Sequence, residues 1–299
     1  MLVTGATGFI GRHSLPALLA AGYEVHAVSS AAATRPGPVH WHVADLLDAD
    51  ASAALIARLR PTHLLHFAWC VAPGDFWTSL ENYRWLRASL ALLEAFCARA
   101  GGRAVVAGTC AEYDWSFGQC AEATTPLQPA TPYGVCKHAL RLTAEALARQ
   151  TGTSLGWGRI FHLYGPYEHP DRLVAHVIRA LLQERTASCS AGTQLRDYLY
   201  VEDVAHAFVA LLESGVQGPV NIASGSPIAV RELVSAIGAK LGREHLIQFG
   251  VTPPRAGDPP LLTADVSRLF QEVGWRPRYD LQRGVEATLA WWRSQPPER

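Results

Sequence analysis

The sequence lacks several features that would narrow its function at once. It has no apolar run near the roughly 20 residues that cross a bilayer, so no membrane association is expected. The 26 basic and 26 acidic residues balance, so nucleic acid and polyanionic surfaces are not expected as partners. The six cysteines form no C-x-x-C pair and show no metal-ligand spacing. We therefore expect reduced thiols, no metal site and a cytoplasmic protein without a leader.

Apolar residues are abundant, at 49% of 299 residues, which is enough for one large domain or a domain with a subdomain. Apolar runs predict strands at 2–4, 23–29, 39–44, 63–67, 103–108 and 154–161, and helical spacing predicts helices at 48–59, 75–100 and 132–150. This alternation predicts parallel βαβ units in an α/β, doubly wound parallel sheet of the Rossmann-like kind.

The pattern changes after Tyr164. The sequence predicts a helix at 172–184, an extended piece and helix at 198–213, strands at 219–222 and 246–249, and helices at 231–241, 264–273 and 281–292.

The most informative stretch is at residues 1–11, MLVTGATGFIG. A short strand ends at Gly5, and Gly8 and Gly11 follow at intervals of three before a helical pattern. Such a turn presents backbone N–H groups at a helix N-terminus, where a pyrophosphate can approach. A glycine turn that holds no ligand is the alternative, and the flanking strand and helix argue against it.

A second pattern is Tyr133-Gly-Val-Cys-Lys137, which follows Pro132 at the start of the helix after the fifth strand. Four-residue spacing places Tyr133 and Lys137 on one helix face, where the ammonium would lower the pKa of the phenol. Such a tyrosine can exchange a proton with a substrate hydroxyl. The spacing alone arises often by chance, and its position argues for function.

Together these motifs resemble the extended branch of the short-chain dehydrogenase/reductase superfamily, whose epimerase/dehydratase family acts on nucleotide sugars. The resemblance covers essentially the whole chain. It implies a dinucleotide-binding domain over 1–162, to which 198–223 return, and a smaller interleaved α/β region, mainly 163–299, that binds the nucleotide-diphosphate sugar. It also implies a homodimer formed by the helices at 75–100 and 132–150.

The resemblance also implies a cofactor site. Strand two ends in Ser29 and Ser30 where NAD binders usually carry a carboxylate, and Arg35 follows, so NADP(H) is preferred and NAD(H) is possible. Family members use an aspartate like Asp45 for the adenine amine, although Asp45 could equally cap the next helix. The implied cofactor residues are Gly5, Thr7, Gly8, Phe9, Ile10, Gly11, Ser29, Ser30, Arg35, Asp45, Leu46, Phe67, Ala68, Trp69, Tyr133 and Lys137.

Two later motifs resemble the family's diphosphate-binding segments. Arg196 lies in QLRDYLYVED and Arg255 in TPPRAGD, and two guanidinium groups can hold a pyrophosphate. Each arginine could instead form a surface ion pair, and His162, which replaces a family asparagine, could be a core residue. The implied substrate residues are Trp69, Thr109, His162, Arg196, Arg255 and Asp258.

The implied catalytic residues are Thr109, Tyr133 and Lys137. The related 4,6-dehydratases carry Asp-Glu directly after the threonine, whereas this chain has Cys110 and Ala111, with Glu112 one place later. Dehydration is therefore disfavoured. The first expectation is an NADP(H)-dependent reductase of a nucleotide-activated keto-sugar, acting at C4. The alternatives are a nucleotide-sugar 4-epimerase and, from another class, a non-catalytic dinucleotide-binding sensor or scaffold.

Overall fold

Strands and helices alternate through the first half of the chain, as the sequence predicts. The computed structural model describes residues 1–31, 37–74, 76–99, 101–253 and 257–296. The strands are β1 (Leu2–Thr4), β2 (His26–Ser29), β3 (His40–Val43), β4 (His63–His66), β5 (Arg103–Thr109), β6 (Gln119–Cys120), β7 (Ser154–Ile160), β8 (His162–Tyr164), β9 (Ala187–Cys189), β10 (Leu195–Arg196), β11 (Tyr198–Tyr200), β12 (Gly218–Ile222), β13 (Ile228–Ala229), β14 (Ile247–Phe249) and β15 (Leu261–Ala264). The helices are α1 (Gly11–Ala20), α2 (Ala49–Leu59), α3 (Glu81–Cys97), α4 (Pro132–Thr151), α5 (Leu173–Leu182), α6 (Val201–Ser214), α7 (Val230–Leu241) and α8 (Leu281–Arg293).

Seven strands form one parallel sheet in the order β3-β2-β1-β4-β5-β7-β12. After β1 the chain adds β2 and β3 on one side of it, and it then adds β4, β5, β7 and β12 on the other side. A crevice therefore opens between the carboxyl ends of β1 and β4, which is where open α/β sheets bind ligands. The predicted doubly wound α/β class is confirmed.

Helices cover both faces of this sheet. On one face Leu18 of α1 and Phe208 of α6 pack against the strands, and on the other Phe96 of α3 and Leu140 of α4 do so. Burying each such side chain stabilises the fold by about 1.5–3 kcal/mol. Within the described ranges, no helix has the length and apolar character needed to cross a membrane.

The second half adds smaller sheets beside the main one. A four-stranded sheet has the order β13-β10-β15-β6, and two parallel pairs form from β8 with β11 and from β9 with β14. Helices α5, α7 and α8 pack around a separate apolar cluster that includes Ile178, Leu233 and Val285.

Two predicted helices were wrong at their starts. The helix expected at 75–100 begins at Glu81, because the Asn82 amide donates to the carbonyls of Phe76 (2.7 Å) and Ser79 (2.9 Å) and holds them in turns. The helix expected at 264–273 begins late: Ala264 is the last residue of β15, and a π-helical turn covers Arg268–Glu272. The 261–264 segment instead pairs with both β10 and β6.

Candidate active site

The glycine turn lies at the carboxyl end of β1, in the crevice. Gly5 has φ of +65°, and a Cβ there would lie 2.8 Å from the Ala68 nitrogen. A Cβ on Gly11 would lie 2.2 Å from the Gly5 carbonyl oxygen. Only glycine therefore lets this turn pass so close to the end of β4 and start α1. Thr7, Gly8, Phe9 and Ile10 complete a cradle at the N-terminus of α1 that fits a dinucleotide pyrophosphate.

The predicted adenosine end is formed by the ends of β2 and β3. Ser29 is the last residue of β2, at the position where NAD binders usually carry a carboxylate. Its hydroxyl accepts a hydrogen bond from the Ala31 amide (3.3 Å). Asp45 accepts from the Leu47 amide (2.9 Å). The residue that caps α2 is Asp48, so the capping role considered for Asp45 is wrong. Arg35 lies outside the described residues.

Thr109, Tyr133 and Lys137 meet where β5 ends and α4 begins. All three are buried, and Thr109 and Tyr133 are joined by a side-chain hydrogen bond. The Lys137 ammonium donates to the Ala107 carbonyl (2.9 Å) and lies 3.8 Å from the centre of the Trp69 ring. Loss of hydration lowers the pKa of Lys137 to about 7.

The expectation that Lys137 lowers the pKa of Tyr133 was wrong for this structure. Burial raises the pKa of Tyr133, and the main opposing contribution is the Thr109 hydrogen bond. Aromatic rings cause this burial: the ring centres of Phe76 and Trp77 lie 5.1 and 5.6 Å from that of Tyr133. A phenol kept neutral in an apolar cage is suited to hold a proton for transfer.

Trp69 forms the remaining wall of this cage. Its indole nitrogen donates to the Asn82 side chain (2.9 Å), and Asn82 also holds the Phe76 turn, so one buried amide fixes both aromatic residues. Phe67 and Ala68 lie between Trp69 and the glycine turn, and the Ala68 amide donates to the Thr4 hydroxyl (3.3 Å).

Glu112 is fully buried and lies in a 3₁₀ turn at Cys110–Glu112. Its carboxylate accepts hydrogen bonds from the Thr109 amide (3.0 Å), the Trp157 indole (2.8 Å) and the Arg159 guanidinium (3.0 Å). Arg141 lies 3.6 Å away. These contacts use both oxygens, so Glu112 braces the threonine and is not available as an acid or base.

A cavity of about 330 Å³ opens in the second half of the chain. His162, Arg196 and Asp258, all predicted substrate residues, line it together with Tyr198. Arg196 is almost fully buried and donates to the Asp258 carboxylate (2.6 Å) and to the Pro259 carbonyl (2.7 Å). Arg196 therefore forms an ion pair, but inside a cavity rather than on the surface. Arg255 lies outside the described residues.

His162 enters this cavity as a neutral ring. Burial and the neighbouring Arg196 and Arg172 lower the pKa of His162 to about 3. Within the described part of the chain, its buried Nδ1 has no hydrogen-bond partner. His162 is thus able to bind a ligand through a neutral hydrogen bond, and not as a cation.

Comparison with known proteins decides the family. The profile of the NAD dependent epimerase/dehydratase family matches residues 1–223. The chain belongs to this family. It is accordingly an NAD(P)-dependent enzyme of the short-chain dehydrogenase superfamily, as the sequence motifs imply.

Family members of known activity align over nearly the whole chain. A UDP-glucose 4-epimerase of Azospirillum brasilense is 30% identical and covers 98% of this chain and 92% of its own. A GDP-6-deoxy-D-mannose reductase of Pseudomonas aeruginosa is 29% identical, over 99% and 97%. The Thermus thermophilus UDP-glucose 4-epimerase in complex with NAD superposes with a TM-score of 0.88 at 28% identity, over 98% of both chains. MoeE5 in complex with UDP-glucose and NAD gives 0.85 at 31%, over 98% of both.

The sequence missed two residues that shape this epimerase/dehydratase site. Asn82 positions Trp69 and Phe76, and Arg12 braces the glycine turn by donating to the Gly8 carbonyl (3.1 Å) while its guanidinium stacks on Tyr167 (3.8 Å). Neither belongs to a motif. An asparagine in a first helical turn is a weak signal, and the partner of Arg12 is far away in sequence.

Proposed function

We propose that this protein moves a hydride to and from C4 of a nucleotide-activated sugar, and that 4-epimerisation is the net reaction. The observation that supports this most is the joint placement of Thr109, Tyr133 and Lys137, with Glu112 turned into the core. A site with the triad and no free acid–base pair suits oxidoreduction and not water elimination. The aligned 4-epimerases support the choice of reaction.

The nicotinamide ring, when bound, supplies the hydride acceptor and donor. Tyr133 exchanges a proton with the sugar at its phenolic oxygen: as the phenol it donates its proton to the alkoxide when hydride is added to C4, and as the phenolate left by that step it accepts the proton of the sugar hydroxyl when hydride leaves C4. Thr109 holds that phenol and shares the charge that develops on the sugar oxygen. Lys137, on the same face of α4, would hold the nicotinamide ribose, and the aromatic cage of Trp69, Phe76 and Trp77 excludes water from the reacting carbon.

The proposed binding residues follow from the same arrangement. The glycine turn and the residues at the ends of β2, β3 and β4 would hold the dinucleotide. Arg196, Asp258 and His162 would hold the diphosphate sugar in the cavity. For the domains, we propose that 1–162 with 198–223 form the dinucleotide-binding unit, supported by the pairing of β12 with β7, and that 163–299 mainly bind substrate.

A second candidate is NADPH-dependent reduction of a 4-keto sugar, favoured by the absence of a carboxylate at Ser29 and by the aligned reductase. The two reactions can be distinguished by which dinucleotide the protein binds and by whether that dinucleotide exchanges. Denaturing the purified protein should release stoichiometric NAD from an epimerase, which also turns over without added cofactor. A reductase should bind exchangeable NADPH more tightly than NADH. Binding of neither dinucleotide would contradict both reactions.

Replacing Lys137 with Met should abolish turnover and yet stabilise the folded protein by roughly 0.5–2 kcal/mol, because no ammonium loses its hydration. Burial lowers the pKa of Lys137 from 10.5 to about 7. Its destabilising contribution is therefore complete below pH about 7 and shrinks toward pH 10.5, since the unfolded chain holds the proton longer. Thermal unfolding against pH should show the variant's advantage fading over that window.

Lys240, on the surface of α7, provides the matched control. Lys240→Met should change stability by less than about 0.5 kcal/mol at every pH. If the Lys137 variant gains no stability below pH about 7, burial of this charge is not the cause of its shifted pKa.

The proposed homodimer is supported by exposed apolar side chains on α3 and α4. Tyr83, Val135 and Leu142 are 46–50% exposed. The α4 face that carries Val135 and Leu142 is turned away from the sheet. Leu142→Asp should convert a dimer to monomer in light scattering, while Val251→Asp, at an exposed residue elsewhere, should leave the mass unchanged. A dimeric Leu142 variant would contradict this interface.

A further inference from the structure

Glu168 is a buried carboxyl group that the proposed mechanism does not use. It lies in the loop between β8 and α5, is 6% exposed, and accepts a hydrogen bond from the Ala175 amide in the first turn of α5. Its second oxygen, Oε2, is buried and has no hydrogen-bond partner among the residues that the structure describes. One oxygen thus serves the helix, and the other is unused by these residues.

A role in helix capping alone does not account for this carboxyl group. Burial raises the pKa of Glu168 to about 8, and the charge of Arg172 opposes this only in part. At neutral pH the group therefore carries a proton, and an O–H donor without an acceptor costs about 1–3 kcal/mol when buried. A glutamine, serine or asparagine could cap α5 without holding such a group. The unused donor points to a partner that arrives with a ligand.

The surroundings of Glu168 indicate which ligand. Burial and, after it, the Glu168 carboxyl raise the pKa of Tyr198. Tyr198 lines the cavity and pairs in register with His162, its ring 5.5 Å from the imidazole. Arg172 acts on both Glu168 and His162 and lies 5.3 Å from the Phe76 ring, which packs on Tyr133.

Glu168 therefore neighbours both Tyr198, which lines the cavity that holds Arg196, and Arg172, which reaches the cage around Tyr133. A sugar whose diphosphate is bound by Arg196 and whose C4 reaches Tyr133 must cross this space. His162 Nδ1 is a second buried polar atom that has no partner among the described residues, and His162 shares Tyr198 and Arg172 as neighbours with Glu168. Two such unpaired groups around the same neighbours suit a polyhydroxylated ring.

We propose that Glu168 is a substrate-recognition residue whose free Oε2 donates a hydrogen bond to a hydroxyl oxygen of the hexose, with His162 binding the same ring. The inference rests on the proposed function, because it assumes a nucleotide sugar in this cavity. Glu168 is assigned to the sugar and not to the nucleotide diphosphate. Replacing Glu168 should therefore weaken binding of the sugar conjugate and leave binding of the diphosphate unchanged.

The test compares a nucleotide diphosphate with its sugar conjugate, by calorimetry on the dinucleotide-loaded protein. UDP with UDP-glucose and GDP with GDP-mannose are the probes. Glu168→Ala should leave the Kd of the diphosphate unchanged and weaken the sugar conjugate about tenfold or more, or about 1.4 kcal/mol. Glu168→Gln keeps a hydrogen-bond donor and the bond from the Ala175 amide, so it should retain most of the affinity for the sugar conjugate. The same bond should allow the glutamine variant to fold even where the alanine variant does not.

The outcomes distinguish failure of this inference from failure of the proposed function. If the wild type binds a diphosphate and its sugar conjugate, and both Glu168 variants keep the same ratio of the two Kd values, Glu168 is only a cap of α5 and the inference is overturned. Equal weakening of both ligands overturns it as well. If the wild type binds none of the probes, the proposed function fails, and the inference fails with it.

Discussion

Replacing Tyr133 with Phe is expected to lower kcat by about 10²–10⁴-fold while both ligands still bind. The variant removes the one phenolic oxygen that can exchange a proton with the sugar, and it keeps the ring that packs on Phe76 and Trp77. Steady-state kinetics with the proposed nucleotide sugar, together with calorimetry for both ligands, measure the two effects separately.

Tyr200→Phe is the matched control, because Tyr200 is a buried tyrosine that packs on Tyr279 and Tyr164 and lies outside the proposed site. Its kcat should remain within about twofold of the wild type, which is a small change in activation free energy. A Tyr133 variant that keeps wild-type kcat would mean that another group carries the proton, and the proposed mechanism would then fail.

Replacing Glu112 with Ala is expected to destabilise the fold by about 3–5 kcal/mol, because it leaves the Arg159 guanidinium buried without its carboxylate. Arg159 is fully buried, 3.0 Å from Glu112, and one of its nitrogens already lacks a partner. Thr109 also loses the acceptor of its amide, so activity should fall along with stability. Denaturant unfolding measures the first effect.

The control uses the other carboxylate that pairs with Arg141. Glu145 lies on the surface of α4, 2.6 Å from that guanidinium, and Glu145→Ala should cost no more than about 1 kcal/mol. If Glu112 were instead a catalytic acid or base, Glu112→Gln would preserve stability and lose only activity. That result would contradict the structural role and reopen dehydration.

The fold was predictable because its signals are local. Apolar runs and helical spacing mark each βαβ unit, and β5, α4 and α8 begin within about two residues of their predicted starts, as expected of such patterns. The glycine turn and the Tyr133–Lys137 spacing are also local, since each lies within one turn or one helix face. Their position between a strand and a helix distinguishes them from chance occurrences of the same spacing.

The rest depends on long-range packing. The pKa of Tyr133 is set by rings from a loop more than 50 residues earlier, at Phe76 and Trp77. The burial of Glu112 depends on Arg159 and Trp157 of β7. The helix predicted at 264–273 begins only at Arg268, because Ala264 ends β15 and pairs with β6, a backbone partner that the local pattern does not reveal.

The most direct test of the central claim is to follow the near-ultraviolet absorbance of reduced nicotinamide when dinucleotide-loaded protein is mixed with nucleotide sugars. We expect UDP-hexoses to produce a transient of reduced cofactor in an epimerase, or a 4-keto sugar to consume NADPH in a reductase. Tyr133→Phe should abolish either signal. If both ligands bind the wild type and no hydride moves in either direction, the assignment of this site to sugar oxidoreduction is contradicted.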